Sequence, residues 1–132
     1  MYKSIGILRC FNKWALLECD DQIGAMYRSL YSLEYFYKPK IQKPLWGTHI
    51  SIIRGELLLN NLIKKDLIDL SVEYYFMPCM MTNSCHFWLP VVCPILDDIR
   101  EVFGLDKSPV NYHLSVGNIK DDSGVFRNEE YF

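Results

Sequence analysis

The sequence predicts an α+β domain in which one order of elements occurs twice. Three observations predict this fold class: short runs rich in β-branched and aromatic residues, longer runs with apolar residues at helical spacing, and a His-x-Ser triplet late in each half. In both halves, strands precede a helix, and a loop then leads to the strand that carries His-x-Ser. Two such units packed face to face would set the two marked strands beside a shared axis, with both histidines at one cleft.

The first half reads as two strands, a helix and a third strand. Residues 4–10 and 13–20 have the composition of short strands. The aspartates that end the second run can cap a helix, and the apolar stripe of this helix stops at Pro39. Residues 48–54 then form a strand by their β-branched content. The stripe expected to pack on the sheet consists of Ile23, Met26, Tyr27, Leu30, Leu33 and Tyr37.

The second half reads as a helix, a hairpin, a helix and a final strand. Residues 57–70 are expected to be helical, and residues 71–81 and 85–93 to form a hairpin whose prolines confine its strands to edges or bulges. The next helix, over 94–105, starts at a proline and ends at a glycine cap. The final strand covers 110–119. The apolar register expected of the 94–105 helix consists of Ile95, Ile99, Val102 and Phe103.

Length and composition indicate a single domain over residues 1–132, with halves of roughly 1–56 and 57–119 and a polar tail at 120–132. Half of the residues are hydrophobic, which is enough for one core without disulfides. The five cysteines are odd in number and form no CxxC pair, and no signal peptide is expected. These features predict a reducing, cytoplasmic environment.

The charge pattern argues against a membrane or long duplex DNA as a partner. The net charge is −2, and no block of five like charges occurs, so a small anionic ligand fits better. Charged residues interrupt every apolar stretch before it reaches the roughly 20 residues that a membrane span needs. The one basic cluster, Lys38, Lys40 and Lys43, is equally compatible with phosphate steering and with a solvated loop. The oligomeric state stays open.

Two of the three histidines stand in the same local pattern. His49 and Ser51 occur in "WGTHISIIRGE", and His113 and Ser115 occur in "NYHLSVGN". Residues two apart in a strand point to the same face, so each histidine projects together with its serine while the apolar neighbours face the other way. With 11 Ser and Thr in the chain, chance alone would place two of its three histidines in such a triplet roughly 2% of the time.

These residue types suit metal-independent cleavage of a phosphodiester. One histidine can take a proton from the attacking hydroxyl and the other can protonate the leaving oxygen, since the ordinary imidazole pKa suits both tasks. The serine hydroxyls can bind non-bridging phosphate oxygens as charge builds on them. No metal and no cofactor is required. The alternative is that both histidines are hydrogen-bonded residues of half-buried strands, with the serines as tolerated neighbours.

With "HISI" and "HLSV" in place, the sequence resembles the two-histidine (2H) phosphoesterase superfamily, whose signature is two His-x-[Thr/Ser]-x motifs on strands of two pseudo-symmetric lobes. Serine replaces the commoner threonine at both sites, and the hydroxyl is retained. The resemblance spans roughly Ser4 to Asn118. It implies a LigT-like fold with two lobes of antiparallel sheet, outer helices and a central cleft, in which both His-Ser pairs are catalytic.

The resemblance also implies a class of substrate. Members of the superfamily act on RNA 2′,3′-cyclic ends, 2′–5′ oligoadenylates, ADP-ribose cyclic phosphate and cyclic oligonucleotide signals. The compact size and the "GTHISIIRGE" stretch look most like the small phage enzymes that destroy the messengers of CBASS immunity. A cyclic di- or trinucleotide is therefore the expected substrate, in the host cytoplasm. Short RNA with a 2′,3′-cyclic phosphate or a 2′–5′ linkage is the alternative substrate, and a non-catalytic nucleotide sponge is the rival from another class.

Five further residues are candidates for substrate binding. Trp46 and Trp88 can stack on bases, Arg54 and Lys43 can contact phosphate, and Glu56 can accept a hydrogen bond from a base edge. Each has an ordinary alternative, with the tryptophans as core residues and the charged side chains as the surface of a strand end or loop.

Two other patterns carry weaker predictions. His86 lies near three cysteines, but the spacings are not those of a zinc site, and a place in the hairpin core is expected. Glu129 and Glu130 can fold over the cleft as a lid, whereas a disordered tail is the better default.

Overall fold

A computed structural model gives the fold and describes residues 1–11, 13–56, 67, 69–83 and 85–119. The described part contains seven strands and two helices, which confirms the α+β class. Neither helix is long and apolar enough to cross a membrane. The helices are α1 (Asp21–Glu34) and α2 (Ile95–Val102). The strands are β1 (Tyr2–Phe11), β2 (Trp14–Glu18), β3 (His49–Arg54), β4 (Ser71–Phe76), β5 (Met81–Thr82), β6 (His86–Val92) and β7 (His113–Asn118).

The strands of the described part form one antiparallel sheet in the order β4-β1-β2-β3-β7-β6-β5. β4 also pairs with β6. Three strands from the first half of the chain are therefore neighbours, and so are β7, β6 and β5 from the second half. The two groups meet at β3 and β7, which carry the two motifs. The division into two lobes that the resemblance implies stays a prediction.

Burial along the strands explains their places in the sheet. β4 alternates strictly, with Val72, Tyr74 and Phe76 buried and the residues between them exposed. β3 and β7 are buried at almost every position because they lie at the centre of the sheet. Ile50 and Leu114, which stand opposite each other on these two strands, are fully buried in the core.

Helix α1 buries a face that the sequence predicted only in part, since Tyr27 is buried and Ile23 packs against the core as expected. Its start is as expected, since the Asp20 carboxylate accepts from the Gln22 N–H at 2.9 Å. The buried residues of the helix are Gly24 and Tyr27. A Cβ at Gly24 would lie 2.2 Å from Thr48 Oγ1, so the glycine permits a close approach that apolar spacing does not reveal. The expected stripe is wrong at four positions, which are half exposed or more: Met26, Leu30, Leu33 and Tyr37.

The predicted hairpin forms only in part. β5 pairs with β6 around a turn at the expected place. β4 pairs with β6 only at its end, through Tyr75 and Phe76, and pairs along its whole length with β1. Pro78 separates β4 from β5, since proline lacks the N–H that a continuous ladder requires. Of the helix expected at 57–70, residues 57–66 and 68 lie outside the described residues, as does the tail at 120–132.

Helix α2 ends at a glycine cap, as predicted, and Gly104 has a φ of 77°. The buried residues of the helix are Leu96, Ile99 and Arg100. Ile95 and Val102 are 44% and 51% exposed, so the predicted register is wrong at these two positions. The buried face runs through Leu96, Ile99, Arg100 and Phe103, so an arginine occupies a core position that apolar spacing does not mark.

Arg100 joins three parts of the chain that surround the motifs. The residue is 2% exposed. Its two terminal nitrogens donate to the two carboxylate oxygens of Glu56 at 2.7 Å each, and this pairing lowers the pKa of Glu56. Nη1 also donates to Ile52 O at 2.8 Å, and Nε donates to Asp106 O at 2.7 Å. Helix α2 therefore binds both the end of β3 and the loop that precedes β7.

We predict that Arg100→Met lowers the free energy of unfolding by about 3 kcal/mol, because it leaves the Glu56 carboxylate and two carbonyls without their donor. Lys3→Met is the control, since it removes an exposed ion pair with Glu73 at 3.9 Å. That substitution should cost less than about 1 kcal/mol. Equilibrium denaturation in urea measures both variants. Equal losses would contradict the role of Arg100.

Candidate active site

The two His-x-Ser motifs meet on neighbouring, hydrogen-bonded strands. In the register of β3 with β7, His49 pairs with Ser115. Directly opposite residues of an antiparallel pair point to the same face of the sheet, as do residues two apart on one strand. Ser51 and His113 therefore lie on the same face as His49 and Ser115. We call this side of the sheet the motif face.

The antiparallel pairing gives the two motifs a local two-fold symmetry. The ladder pairs His49 with Ser115 and Ile50 with Leu114, and the same register continued by one step would set Ser51 opposite His113. The two histidines are then diagonal neighbours, whose Cβ atoms lie about 7–8 Å apart in such pairs. A group held between them is flanked by an imidazole on each side.

Each imidazole is anchored by a backbone carbonyl two residues upstream. His49 Nδ1 lies 2.6 Å from Gly47 O, and His113 Nδ1 lies 3.0 Å from Asn111 O. A carbonyl only accepts hydrogen bonds, so Nδ1 carries the hydrogen in both rings and Nε2 is the nitrogen that gains or loses a proton. Gly47 has a φ of 71°, which is a conformation that favours glycine. This turn places the Gly47 carbonyl against His49 Nδ1.

The motif side chains are polar groups in a buried place. His49 and Ser51 are each 2% exposed, Ser115 is 4% exposed and His113 is 9% exposed. Within the described ranges, the Ser51 hydroxyl has no hydrogen-bond partner. A buried hydroxyl without a partner is costly in free energy, and an acceptor oxygen of a ligand would remove that cost. The Ser51 hydroxyl is therefore able to bind a ligand oxygen without first losing a partner among the described residues.

One tryptophan lies against each histidine. The ring centroids of Trp46 and His49 are 5.7 Å apart, and those of Trp88 and His113 are 5.8 Å apart. Trp88 is directly opposite Ser115 in the register of β6 with β7, so it lies on the motif face. Both residues expected to stack on bases thus border the histidines, and their contact with a base stays a prediction.

The motif face carries two imidazoles and two hydroxyls on neighbouring strands, which are the groups that acid–base chemistry requires. Compared with known protein families, curated proteins and solved structures, the chain has no match. The function of the site is therefore inferred from the positions and hydrogen bonds of its own residues.

Arg54 and Glu56 are engaged by groups of the protein itself. Arg54 donates to Ser51 O and to Ser108 Oγ, at 3.2 Å in each case. Both carboxylate oxygens of Glu56 are bound by Arg100. These contacts support the end of β3 beside the first motif, and a contact of either side chain with substrate stays a prediction.

A cavity of about 700 Å³ opens beside His49. Its lining includes Arg9 and Glu18, which the sequence did not single out. Glu18 is directly opposite His49 in the register of β2 with β3, and Arg9 reaches the same face through the pairing of β1 with β2. Lys43, expected to contact phosphate, also lines the cavity and forms an ion pair with Asp21 at 2.8 Å. The sequence alone does not show that Arg9 and Glu18 share a face with His49, because this depends on which strands pair.

His86 lies in the core at the start of β6, as expected. It is 3% exposed, and burial lowers its pKa because the charged imidazolium is poorly solvated there. In the part of the chain that the structure describes, no three His, Cys, Asp or Glu side chains are grouped so that they could hold a metal ion. A buried histidine with a lowered pKa makes the stability of the fold depend on pH.

We predict that His86 makes the protein less stable as the pH falls below neutrality. The unfolded chain binds a proton near the ordinary histidine pKa of about 6.5, whereas the folded protein binds it only at lower pH. The contribution of His86 is therefore fully present above about pH 6.5 and is lost as the pH falls toward the folded pKa. Unfolding free energies measured from about pH 8 to about pH 5 should fall more steeply for the wild type than for His86→Gln. Parallel pH curves for the two proteins would contradict this role.

Proposed function

We propose that the protein is a metal-independent phosphodiesterase with a LigT-like 2H phosphoesterase fold, in which His49 and His113 act as general base and general acid. One observation carries the proposal: the two His-x-Ser motifs share one face of paired antiparallel strands, and both rings are anchored through Nδ1. Each histidine has a serine two residues later, a backbone carbonyl that holds its Nδ1, and a neighbouring tryptophan. The packing of a core does not require this repetition.

The proposed reaction transfers one proton at each imidazole. The Nε2 of one histidine takes the proton of a ribose 2′-OH or of a water, and that oxygen bonds to phosphorus as the bond to the 5′-oxygen breaks. The Nε2 of the other histidine gives its proton to the departing oxygen. In-line displacement places the attacking and leaving oxygens on opposite sides of phosphorus, which suits two imidazoles at diagonal positions. Attack by the 2′-OH gives a cyclic phosphate, which the same pair can hydrolyse with the roles exchanged.

The serine hydroxyls are placed to bind the non-bridging oxygens of the phosphate. Ser51 is buried and has no partner among the described residues, so its hydrogen is available to a ligand oxygen. Ser115 stands directly opposite His49 and presents the second hydroxyl on the motif face. Donors that are already in place stabilise the charge that builds in the transition state without further reorganisation.

We infer further that the substrate is a cyclic di- or trinucleotide, so that the protein would serve viral evasion of CBASS immunity. The source of this assignment is the resemblance of the motif segments to small phage enzymes. The tryptophans beside both histidines and the adjoining cavity support a nucleotide over a smaller phosphoester, because bases stack on such rings. A net charge of −2 is compatible with a short anionic substrate and unfavourable for long nucleic acid.

We predict turnover that resists chelators and needs both histidines. In excess EDTA, the wild type should cleave a cyclic di- or trinucleotide, as followed by mass spectrometry of the products. His49→Ala and His113→Ala should each lower kcat/KM by about 10²–10⁴-fold, since each removes one proton-transfer group. His86→Gln changes the histidine outside the motifs and should keep wild-type activity near neutral pH. The pH profile of kcat/KM should be bell-shaped around neutrality, because one imidazole must be neutral and the other protonated.

The substrate panel of that assay separates the alternatives. It contains cyclic di- and trinucleotides, RNA ending in a 2′,3′-cyclic phosphate, and 2′–5′-linked RNA. Faster cleavage of either RNA would assign RNA processing with the same mechanism. Tight nucleotide binding without turnover of any substrate would assign a sponge. A strict requirement for an added divalent metal would contradict the paired histidines.

A further inference from the structure

We propose that the cavity beside His49 binds one nucleobase of the substrate and prefers a base with adjacent N–H donors, guanine above all. The inference rests on the proposed function, since it takes the reacting phosphate to lie between the two histidines. We call this space the base cavity. Its lining includes Arg9, Phe11, Glu18, Lys43, Trp46 and Asp69.

The base cavity continues the motif face on the side of His49. Glu18 on β2 is directly opposite His49, and Leu16 on β2 is directly opposite Ser51. Arg9 on β1 is in turn opposite Leu16. Because opposite residues share a face, these side chains extend one surface from the first motif across two strands. A nucleoside attached to a phosphate at the histidines would therefore reach the base cavity directly.

The size and the aromatic wall of the base cavity fit a base. Its volume of about 700 Å³ lies within the range of roughly 300–1,000 Å³ that is usual for small-molecule sites. Trp46 connects the cavity to the motif, since its ring centroid lies 5.4 Å from that of Phe11 and 5.7 Å from that of His49. An aromatic ring in this position offers a stacking surface to any base.

The charges of the base cavity disfavour a second phosphate. Among the described residues, its cations are Arg9 and Lys43, and its carboxylates are Glu18, Asp21 and Asp69. Lys43 is paired with Asp21, and Arg9 is paired with both Glu18 and Asp69. Carboxylates thus outnumber cations, and each cation is already paired. This balance favours an uncharged group that donates hydrogen bonds over an anion.

Glu18 and Asp69 are the acceptors that face a bound base. Arg9 Nε donates to Glu18 Oε2 at 2.8 Å, and Arg9 Nη1 donates to Asp69 Oδ1. One guanidinium therefore holds one oxygen of each carboxylate, and within the described ranges no other side chain binds the second oxygen of either. The two side chains are 54% and 64% exposed, so a base can reach them without displacing the protein core.

Guanine has the edge that best matches carboxylate acceptors. It presents N1–H and the 2-amino group side by side, so it can donate two charge-assisted hydrogen bonds. Adenine and cytosine present one amino group beside a ring nitrogen that accepts. Uracil presents one N–H between two carbonyl oxygens, which a carboxylate repels. The expected order of affinity is guanine, then adenine and cytosine, then uracil.

Calorimetric titration of the full chain with GMP, AMP, CMP and UMP tests the inference without turnover. We expect GMP to bind at least about tenfold more tightly than UMP, on the scale of one charge-assisted hydrogen bond. Glu18→Gln keeps the shape of the side chain but replaces an acceptor with a donor, so it should bring the ratio close to one. Glu73→Gln is the matched control, since Glu73 is exposed on β4 and paired with Lys3, and it should keep the ratio.

A second variant, Asp69→Asn, shows whether the result of Glu18→Gln comes from the loss of a carboxylate acceptor or from a change in structure around residue 18. Asp69→Asn removes the other carboxylate and suits a φ of 61°, which asparagine tolerates, so it should also lower the GMP to UMP ratio. Equal affinities for the four nucleotides, no binding of any of them, or an unchanged ratio in both variants would overturn the inference.

The titration tests the base cavity and the turnover assay tests the proposed function, so either proposal can be contradicted while the other is supported. Selective binding of GMP that Glu18→Gln abolishes, in a protein that cleaves no phosphodiester, would support the base cavity and contradict the proposed function. Turnover that needs both histidines, without any base preference in binding, would support the function and overturn the base cavity.

Discussion

The candidate site depends on the pairing of β3 with β7. One backbone register, which sets His49 opposite Ser115, decides which side chains of both strands share a face. Because side chains alternate with a period of two, a slip of one residue would turn one motif to the other side of the sheet and separate the imidazoles. Ile50 and Leu114 oppose such a slip, since they are fully buried and would have to leave the core. The hydrophobic pattern of these strands therefore positions the polar residues between them.

Helix α2 adds a second set of contacts between the two motif strands. Arg100 binds the carbonyls of Ile52 and Asp106, and the hydroxyl of Tyr112 donates to Asp97 at 2.7 Å. One helix is thus bound just after the first motif and just before the second. β3 and β7 share only two residue pairs, so contacts of this kind limit their separation where the pairing ends. Burial of the arginine charge is expensive in itself, which indicates that its main contribution is to position the strands.

The sequence predicts what depends on neighbours along the chain and fails where the partner is distant in it. The β-branched residues around His49 predict β3, their alternation places a serine beside each histidine, and Asp20 predicts the start of α1. The buried face of α1 was predicted correctly at Ile23 and Tyr27 but not at Gly24, because the close approach there is a matter of shape and not of hydrophobicity. The base cavity was missed because Arg9 and Glu18 come together only through the pairing of β1 with β2, which no local pattern encodes.

The most direct test of the paired acid and base is a crystal structure with a nucleoside vanadate, whose five-coordinate vanadium has the geometry of the reacting phosphorus. We expect the vanadium between the two rings, with Nε2 of His49 and Nε2 of His113 each about 2.6–3.2 Å from a different apical oxygen. Ser51 Oγ should donate to an equatorial oxygen. Vanadate bound away from the histidines, or apical oxygens that contact neither Nε2, would contradict the proposed mechanism.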